Sequence, residues 1–359
     1  MSPPAPFGVY VHVPFCASRC DYCAFATWTD RHHLAERYVK AVVTEAAGAG
    51  LPPATSLFVG GGTPSQLPAD LLAELVAAVP LAPGAEVTVE CNPDDATEAL
   101  LATWRGAGVT RVSLGVQSLD PAVLAGLGRR HDPEAVLRAV ALVRAAGFST
   151  WSLDLITGGA CEDHGSWRRT LDGVLALDPP HVSAYCLTVE PGTPLAADPS
   201  RHPDEDEQAD RYLRADEVLS RSGRPWYEIS SWAKPGHQCR HNRLYWEQGD
   251  YRGLGCAAHS HAAGRRWWNV RTPERYCEIV EAGQDPVGGE ELLDPPARAE
   301  EALQLSLRTS RGVPASALDT EDQALGGLVR PDGNRLVLTP RGRLLTSEVS
   351  LRLRLPTPA

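Results

Sequence analysis

Three cysteines near the N-terminus constrain this chain more than any other feature. Cys16, Cys20 and Cys23 stand in Val13-Pro14-Phe15-Cys16-Ala17-Ser18-Arg19-Cys20-Asp21-Tyr22-Cys23, a C-x3-C-x2-C spacing directly after an apolar, strand-like stretch. Thiolates this close in sequence converge on one soft metal centre. A structural zinc site normally closes with four ligands, and no fourth cysteine or histidine follows at finger-like spacing. Three thiolates suit a cuboidal [4Fe-4S] cluster, each gripping one iron and leaving the fourth iron open. Unrelated buried cysteines in a loop are the bland alternative, and the tight spacing weighs against it.

At 359 residues the chain has length for two or three domains and a sizeable core. It carries 34 basic against 45 acidic side chains, a net charge of −11. That balance argues against a nucleic-acid partner met through a broad basic face. Nine cysteines would allow disulfides in a secreted protein, but residues 1–10 show neither a basic segment followed by an apolar one nor an Arg-rich amphipathic pattern. No apolar run approaches the length that crosses a bilayer. The expectation is a cytoplasmic protein with reduced thiols. It is not expected to be an integral membrane protein, while contact with a membrane surface stays open.

From residue 7 to about 225, apolar strands alternate with helical patterns. Strands are predicted over 7–13, 57–59, 86–90, 111–115, 151–156 and 181–187. Helical spacing fills 34–47, 68–78, 98–107, 133–146, 166–177 and 206–222. Such strand–helix repetition predicts an α/β fold with a parallel sheet, because parallel neighbours need helical crossovers. An open (β/α)6 barrel and a doubly wound sheet both satisfy the periodicity.

The polar residues favour the barrel. Nearly every strand ends in something chemically special: the cysteine loop, then Gly60-Gly61-Gly62-Thr63-Pro64-Ser65, Glu90-Cys91-Asn92-Pro93 and Val116-Gln117-Ser118. Asp154 and Tyr185-Cys186 fall in the last two strands. In a barrel these ends converge on one mouth and build one pocket. The glycine run lacks the Gly-Lys-Ser/Thr of a P-loop. It reads either as a tight turn or as backbone that a ligand approaches closely.

Residues 226–290 change character, with Trp226, Tyr227, Trp232, Tyr245, Trp246, Tyr251, Trp267, Trp268 and Tyr276 crowded among glycines. Short strands and loops laid over the barrel are expected there. Beyond Pro295-Pro296, helical spacing over 297–308, a hairpin near 333–338 and a last helix carrying Leu344, Leu345 and Val349 predict a small helical, winged-helix-like domain. The division expected is therefore 1–225, 226–290 and 291–359.

With these stretches in hand, the chain resembles the radical S-adenosylmethionine (SAM) superfamily, and within it the oxygen-independent coproporphyrinogen-dehydrogenase-like family. The likeness runs through Tyr10-Val11-His12-Val13-Pro14-Phe15-Cys16, the glycine run, 86–93, 113–118, Gly128-Arg129-Arg130-His131, Ser152-Leu153-Asp154-Leu155-Ile156 and Tyr227-Glu228-Ile229-Ser230. It implies a radical SAM partial (β/α)6 barrel, a [4Fe-4S] cluster on Cys16, Cys20 and Cys23, and SAM on the open iron. SAM contacts are implied at Tyr10, Gly61, Gly62, Thr63, Glu90, Gln117, Arg129 and Asp154. Carboxylates suit ribose hydroxyls and the ammonium, and Arg129 suits the methionyl carboxylate.

Two branches of that family differ in function. The dehydrogenases carry a fourth cysteine two residues after the third, where this chain has Phe25. The other branch resembles haem chaperones, which bind haem and pass it to acceptor proteins. Its mark, His-Asn-x-x-Tyr-Trp, stands here as His241-Asn242-Arg243-Leu244-Tyr245-Trp246. The resemblance implies haem at His241, Tyr245 and Trp246, with His259 and His261 as further candidate ligands. An imidazole suits haem iron, and the aromatic rings suit a porphyrin face. Haem binding and delivery to an acceptor protein is the function expected, with an electron-donor protein compatible with the cluster. Coproporphyrinogen III dehydrogenation, or other radical chemistry on a small molecule, is the alternative. One departure stands out: after Asp154 the family usually continues Leu-Ile-Tyr-Gly with a turn proline, whereas here it reads Leu155-Ile156-Thr157-Gly158-Gly159-Ala160-Cys161. That loop is expected at the barrel mouth. Cys91, Cys239, Cys256 and Cys277 are expected to be dispensable for the cluster.

Overall fold

The computed structural model describes residues 6–355. Six parallel strands lie side by side at its centre: β1 (Phe7–Val13), β2 (Ala54–Gly61), β3 (Leu81–Cys91), β4 (Arg111–Gln117), β5 (Thr150–Thr157) and β6 (His181–Cys186). Helices join them: α1 (Ala35–Gly48), α2 (Ala69–Ala77), α3 (Glu98–Gly106), α4 (Pro121–Gly126), α5 (Pro133–Ala145) and α6 (His164–Leu177), followed by α7 (Glu205–Arg221). Strand order equals sequence order across these six, as successive β–α–β units require. On β1, Val9, Val11 and Val13 are fully buried in the main core, and Gly8, Tyr10 and His12 point to the opposite face. Helix starts are fixed locally. Asp132 caps α5 through the Ala135 N–H ahead of Pro133, and Asp163 and Ser166 form a capping box on α6.

The aromatic-rich region does not lie over the barrel as expected. It lengthens the sheet at both margins. β7 (Trp226–Glu228) and β8 (Ser231–Ala233) add antiparallel strands beyond β6. The chain then crosses under the sheet through α8 (Arg240–Trp246). It returns as β9 (Asp250–Leu254), parallel to β1 on its free side. β10 (His259–Ala262), β11 (Arg265–Asn269) and, after α9 (Pro273–Glu281), β12 (Val287–Leu292) continue antiparallel, giving one sheet of 12 strands. The barrel is thus partial, with a side opening.

Last come α10 (Pro295–Leu307), β13 (Val313–Pro314), β14 (Val329–Asp332), β15 (Arg335–Leu338), α11 (Pro340–Leu344) and α12 (Thr346–Ser350). The three strands form a separate sheet in the order β13-β15-β14, and Leu303, Leu307, Leu336, Leu338 and Val349 share a core of their own. The hairpin of β14 and β15 begins at Val329, earlier than the predicted 333–338, whose first residues form its turn. The expected single final helix is instead two short ones that meet at Leu345.

Candidate cofactor cavities

The C-terminal ends of the six parallel strands open into a cavity of about 760 Å³. Cys16, Cys20 and Cys23 line it, and so do Gly61, Gly62, Thr63, Glu90, Gln117, Arg129 and Asp154. The cysteine loop is tied down on several sides. Cys16 N donates to Trp28 O (3.1 Å), Asp21 N to Leu127 O (3.3 Å), Gly62 N to Val13 O (2.7 Å) and Thr63 N to Phe15 O (2.8 Å). Two sulfurs already receive donors: Thr63 Oγ1 to Cys16 Sγ and Arg129 Nη1 to Cys20 Sγ, both at 3.4 Å. Among the described residues no three His, Cys, Asp or Glu side chains gather round a single ion. A cubane does not ask for that, because each thiolate bonds a different iron. Three thiols on one cavity wall, two of them stabilised as acceptors, fit a cluster. Among the described residues the buried Arg129 Nε has no hydrogen-bond partner, which leaves the guanidinium capacity for an anionic group.

Across the cavity stand two carboxylates. Glu90 accepts a hydrogen bond from Gly61 N (3.1 Å), yet burial first, and the charge of Asp154 second, push its pKa up to about 7. Burial also raises Asp154, while Ser113 Oγ donates to it at 2.6 Å and Ser152 Oγ stands 2.6 Å behind Ser113. Such a pair is suited to an ammonium and to sugar hydroxyls. Gln117 holds a left-handed backbone, φ 63°, at an irregularity in the β4–β5 pairing, a strained conformation of the kind found at ligand sites. The glycines are also required by the protein's own packing. A Cβ at Gly61 would strike the His12 ring, and one at Gly62 would lie 2.7 Å from Val13 O and 2.8 Å from Phe15 O. The protein's own atoms fill the space next to them on that side, while both glycines line the cavity on the other.

Tyr10 does not line this cavity. It faces a second one, of about 640 Å³, at the side opening of the barrel. Tyr245, Trp246, Tyr251, His12, His259, His261, Arg266 and Arg271 also line it, and α10 contributes Glu301 and Leu305. Both cavities share Ala24 and Phe25, whose ring is 70% exposed.

His241 sits behind this wall rather than in it. The inward row Gly8–Ser56–Glu86, in register across β1, β2 and β3, leaves room near the strand starts, and α8 plugs it. The Glu86 carboxylate accepts from Arg240 N (2.9 Å) and His241 N (3.2 Å), capping the helix from a distant strand. A Cβ at Gly8 would come within 2.5 Å of Leu244 and 3.1 Å of His241. The His241 ring is 1% exposed, with Nδ1 2.9 Å from Ser56 Oγ and Nε2 2.8 Å from Tyr245 Oη. Burial lowers its pKa to about 3, so the ring is neutral. Neither nitrogen is free to meet iron in this arrangement.

Sequence reasoning missed Ser113, Asn92 and His131 in the first cavity and Tyr251, Arg266 and Arg271 in the second. Ser113 was within reach, since it pairs in register with Glu90. Cys161 lies in neither cavity wall. Its loop is held by the Glu162 carboxylate, which accepts from Gly158 N (2.6 Å) and Thr157 Oγ1 (3.0 Å). Cys239, Cys256 and Cys277 are buried away from the cysteine loop's cavity, and Cys91 is buried in its wall.

Residues 10–172 match the Radical SAM superfamily. The chain is 42% identical to the protein named heme chaperone HemW of Mycobacterium tuberculosis, over 97% of this chain and 94% of that one. It is 36% identical to the HemW of Synechocystis over 89% and 82% of the two chains. The HemW of Escherichia coli is 36% identical over 71% and 70%. Among solved structures, the coproporphyrinogen III oxidase HemN of Escherichia coli, titled a radical SAM enzyme, superposes with a TM-score of 0.84 at 23% identity. That match covers 97% of this chain and 89% of that one, a likeness of fold. With identity this high along nearly the whole length, the chain belongs to the HemW haem chaperone family of radical SAM proteins.

Proposed function

We propose that this protein binds haem and hands it to acceptor proteins, with a [4Fe-4S] cluster and SAM in the first cavity and haem in the second. The observation that carries the reading is the second cavity itself. It is walled by Tyr245, Trp246 and Tyr251, of a size usual for cofactor sites (roughly 300–1,000 Å³), and adjoins the cysteine-lined one through Phe25. Cys16, Cys20 and Cys23 hold the cluster. Gly61, Gly62, Thr63 and Gln117 shape the SAM site, Glu90 and Asp154 receive its ammonium and hydroxyls, and Arg129 its carboxylate. When bound, cluster and SAM together supply one-electron chemistry at the barrel mouth. This chain's residues orient SAM and hold the cysteine loop. Tyr10, given as a SAM contact by resemblance, is better read as part of the haem-facing wall. Tyr245 and Trp246 cover apolar porphyrin surface, and His241 fixes Tyr245 through the hydrogen bond to its hydroxyl.

The working division is a cofactor barrel over 1–225, a haem-facing region over 226–290 and a closing domain over 291–359. Residence in the cytoplasm, an electron-donor protein and an unidentified acceptor complete the proposal. Among the described residues no helix is long and apolar enough to cross a membrane. The test is anaerobic cluster reconstitution, followed in parallel by haem titration and by assays of SAM cleavage and coproporphyrinogen III conversion. One haem bound per chain without product supports the reading. Robust conversion of coproporphyrinogen III would overturn it in favour of an enzyme, against the phenylalanine that stands where that branch has a cysteine.

A further inference from the structure

A third cavity, of about 450 Å³, lies at the seam between α8, α10 and the small C-terminal sheet, and Trp246 lines both it and the second cavity. Arg243, Arg311 and Arg335 line it, and among the described residues Glu247 is the one acid in its wall. That acid is already engaged, by Arg243 Nη2 at 2.9 Å. Arg335 is fixed in place. Its Nε donates to Arg311 O at 2.8 Å and its Nη2 to Gly312 O at 2.6 Å, which leaves Nη1 without a partner among the described residues. The Arg311 side chain is exposed, and among the described residues it makes neither a hydrogen bond nor an ion pair. Arg308 stacks on the Trp246 ring, its Cζ 4.9 Å from the centroid. Trp246 Nε1 and Arg308 Nε are both buried, again with no hydrogen-bond partner among the described residues.

We infer that the third cavity is a binding site for an oxyanion, a carboxylate or a phosphate, held by Arg311 and Arg335. The inference goes beyond the haem-chaperone reading and does not depend on it. Every group left over at this seam is a donor or a cation, and buried donors without partners call for an acceptor. A planar guanidinium fork matches either oxyanion. Burial, and then the charge of Arg311, lower the pKa of Arg335, so the two cations repel each other while Glu247 is taken elsewhere. Glu228 does not supply the missing charge. Burial raises its pKa, and its carboxylate accepts from Ser230 N at 3.2 Å. An oxyanion between the two guanidinium groups turns one repulsion into two attractions. The volume falls in the range usual for small-molecule sites, roughly 300–1,000 Å³, which leaves room for the rest of the molecule. Because Trp246 is a shared wall, two sources can supply such a group: a carboxylate of a porphyrin in the second cavity, or a free small-molecule anion.

The experiment is calorimetric titration of the anaerobically reconstituted full chain with inorganic phosphate and with succinate, against sodium chloride at equal ionic strength. SAM is kept saturating, so that Arg129 in the first cavity is occupied. The variants are Arg311→Glu, Arg335→Lys and, as a control of equal charge change, Arg330→Glu on β14, which is exposed and outside the cavity. Far-UV circular dichroism follows the fold. One phosphate or succinate binds per chain, and Arg311→Glu weakens it by about tenfold or more, as loss of a charge-assisted hydrogen bond does. Arg335→Lys weakens it as well, because the charge stays while the fork is lost, and Arg330→Glu leaves it unchanged. The Arg311 side chain supports nothing else, so its variant folds and keeps the test decisive even if Arg335→Lys does not. No saturable binding beyond that of chloride overturns the inference, and so do equal losses in Arg311→Glu and Arg330→Glu. Repeating the titration with haem bound separates the sources. Loss of the anion signal assigns the site to a porphyrin carboxylate, and its persistence to a free anion. A protein that takes up phosphate here but binds no haem defeats the chaperone reading and leaves this site standing.

Discussion

The two cavities lie on the same face of one sheet, share Phe25, and are built from opposite materials. The first, at the strand ends, is thiols, carboxylates and Arg129. The second, at the barrel's side opening, is aromatic rings and histidines. The contrast follows from the backbone. Parallel strands end at one mouth, so polar residues from many strands reach a common point. The side opening is formed by β1 with the returning strands β9, β10 and β11, and its aromatic wall continues onto α8, where Tyr245 packs edge-on against Tyr251 with ring centroids 4.6 Å apart. One fold can therefore keep a charged cofactor and an apolar one adjacent without mixing their environments.

The sharpest break between the two is Cys20→Ala. It should abolish cluster loading after reconstitution, measured by iron, sulfide and absorption, while haem binding persists. Loss of both would merge the cavities into one functional unit. Next is Gly62→Val. Its side chain would press on the carbonyls of Val13 and Phe15, costing about 1–3 kcal/mol or more and loosening the cysteine loop. The expected signs are a lowered Tm and poor cluster loading; a normal Tm with only weaker SAM binding would show that the ligand, not the loop, occupies that space.

Glu90→Ala and Asp154→Ala should each weaken SAM binding, by about 1.5–3 kcal/mol for a lost charge-assisted hydrogen bond, with haem affinity unchanged by titration. His241→Ala leaves Ser56 and Tyr245 unpaired in a buried site. It should cost about 1–3 kcal/mol of stability, read in denaturant melts.

A further effect is a pH slope. Glu90 binds its proton more tightly when folded, with a pKa of about 7 against 4.5. Its contribution to stability is therefore complete below pH 4.5 and is lost as pH rises towards 7. Cofactor-free Glu90→Gln should lack this component of the pH dependence, and SAM affinity in the parent should rise over the same window as the carboxylate ionises.

Much of the barrel was legible because its signals are local. Alternation in β1, caps at Asp132 and Asp163, and polar residues at strand ends each announce themselves within a few residues. The placement of 226–290 was not, because β9 pairs with β1 across most of the chain and no periodicity encodes that. Helix α8 is only seven residues long, and its N-terminus is capped by Glu86 from another strand, so nothing local marks its role as a plug. The side cavity that Tyr10 lines was not legible for a related reason. The tyrosine's side chain sits lower on the inner face than the strand-end residues and meets the side opening first. The histidine motif was visible as a motif, but whether its imidazole had a free nitrogen depended on Ser56, far away in sequence.

The central claim is that cluster with SAM and haem occupy separate, adjoining sites. The direct measurement is SAM affinity of the anaerobically reconstituted protein with and without saturating haem, alongside haem affinity with and without saturating SAM. The account predicts that both bind together, each with an affinity the other leaves essentially unchanged. Mutual displacement, with one ligand driven off as the other saturates, would contradict it.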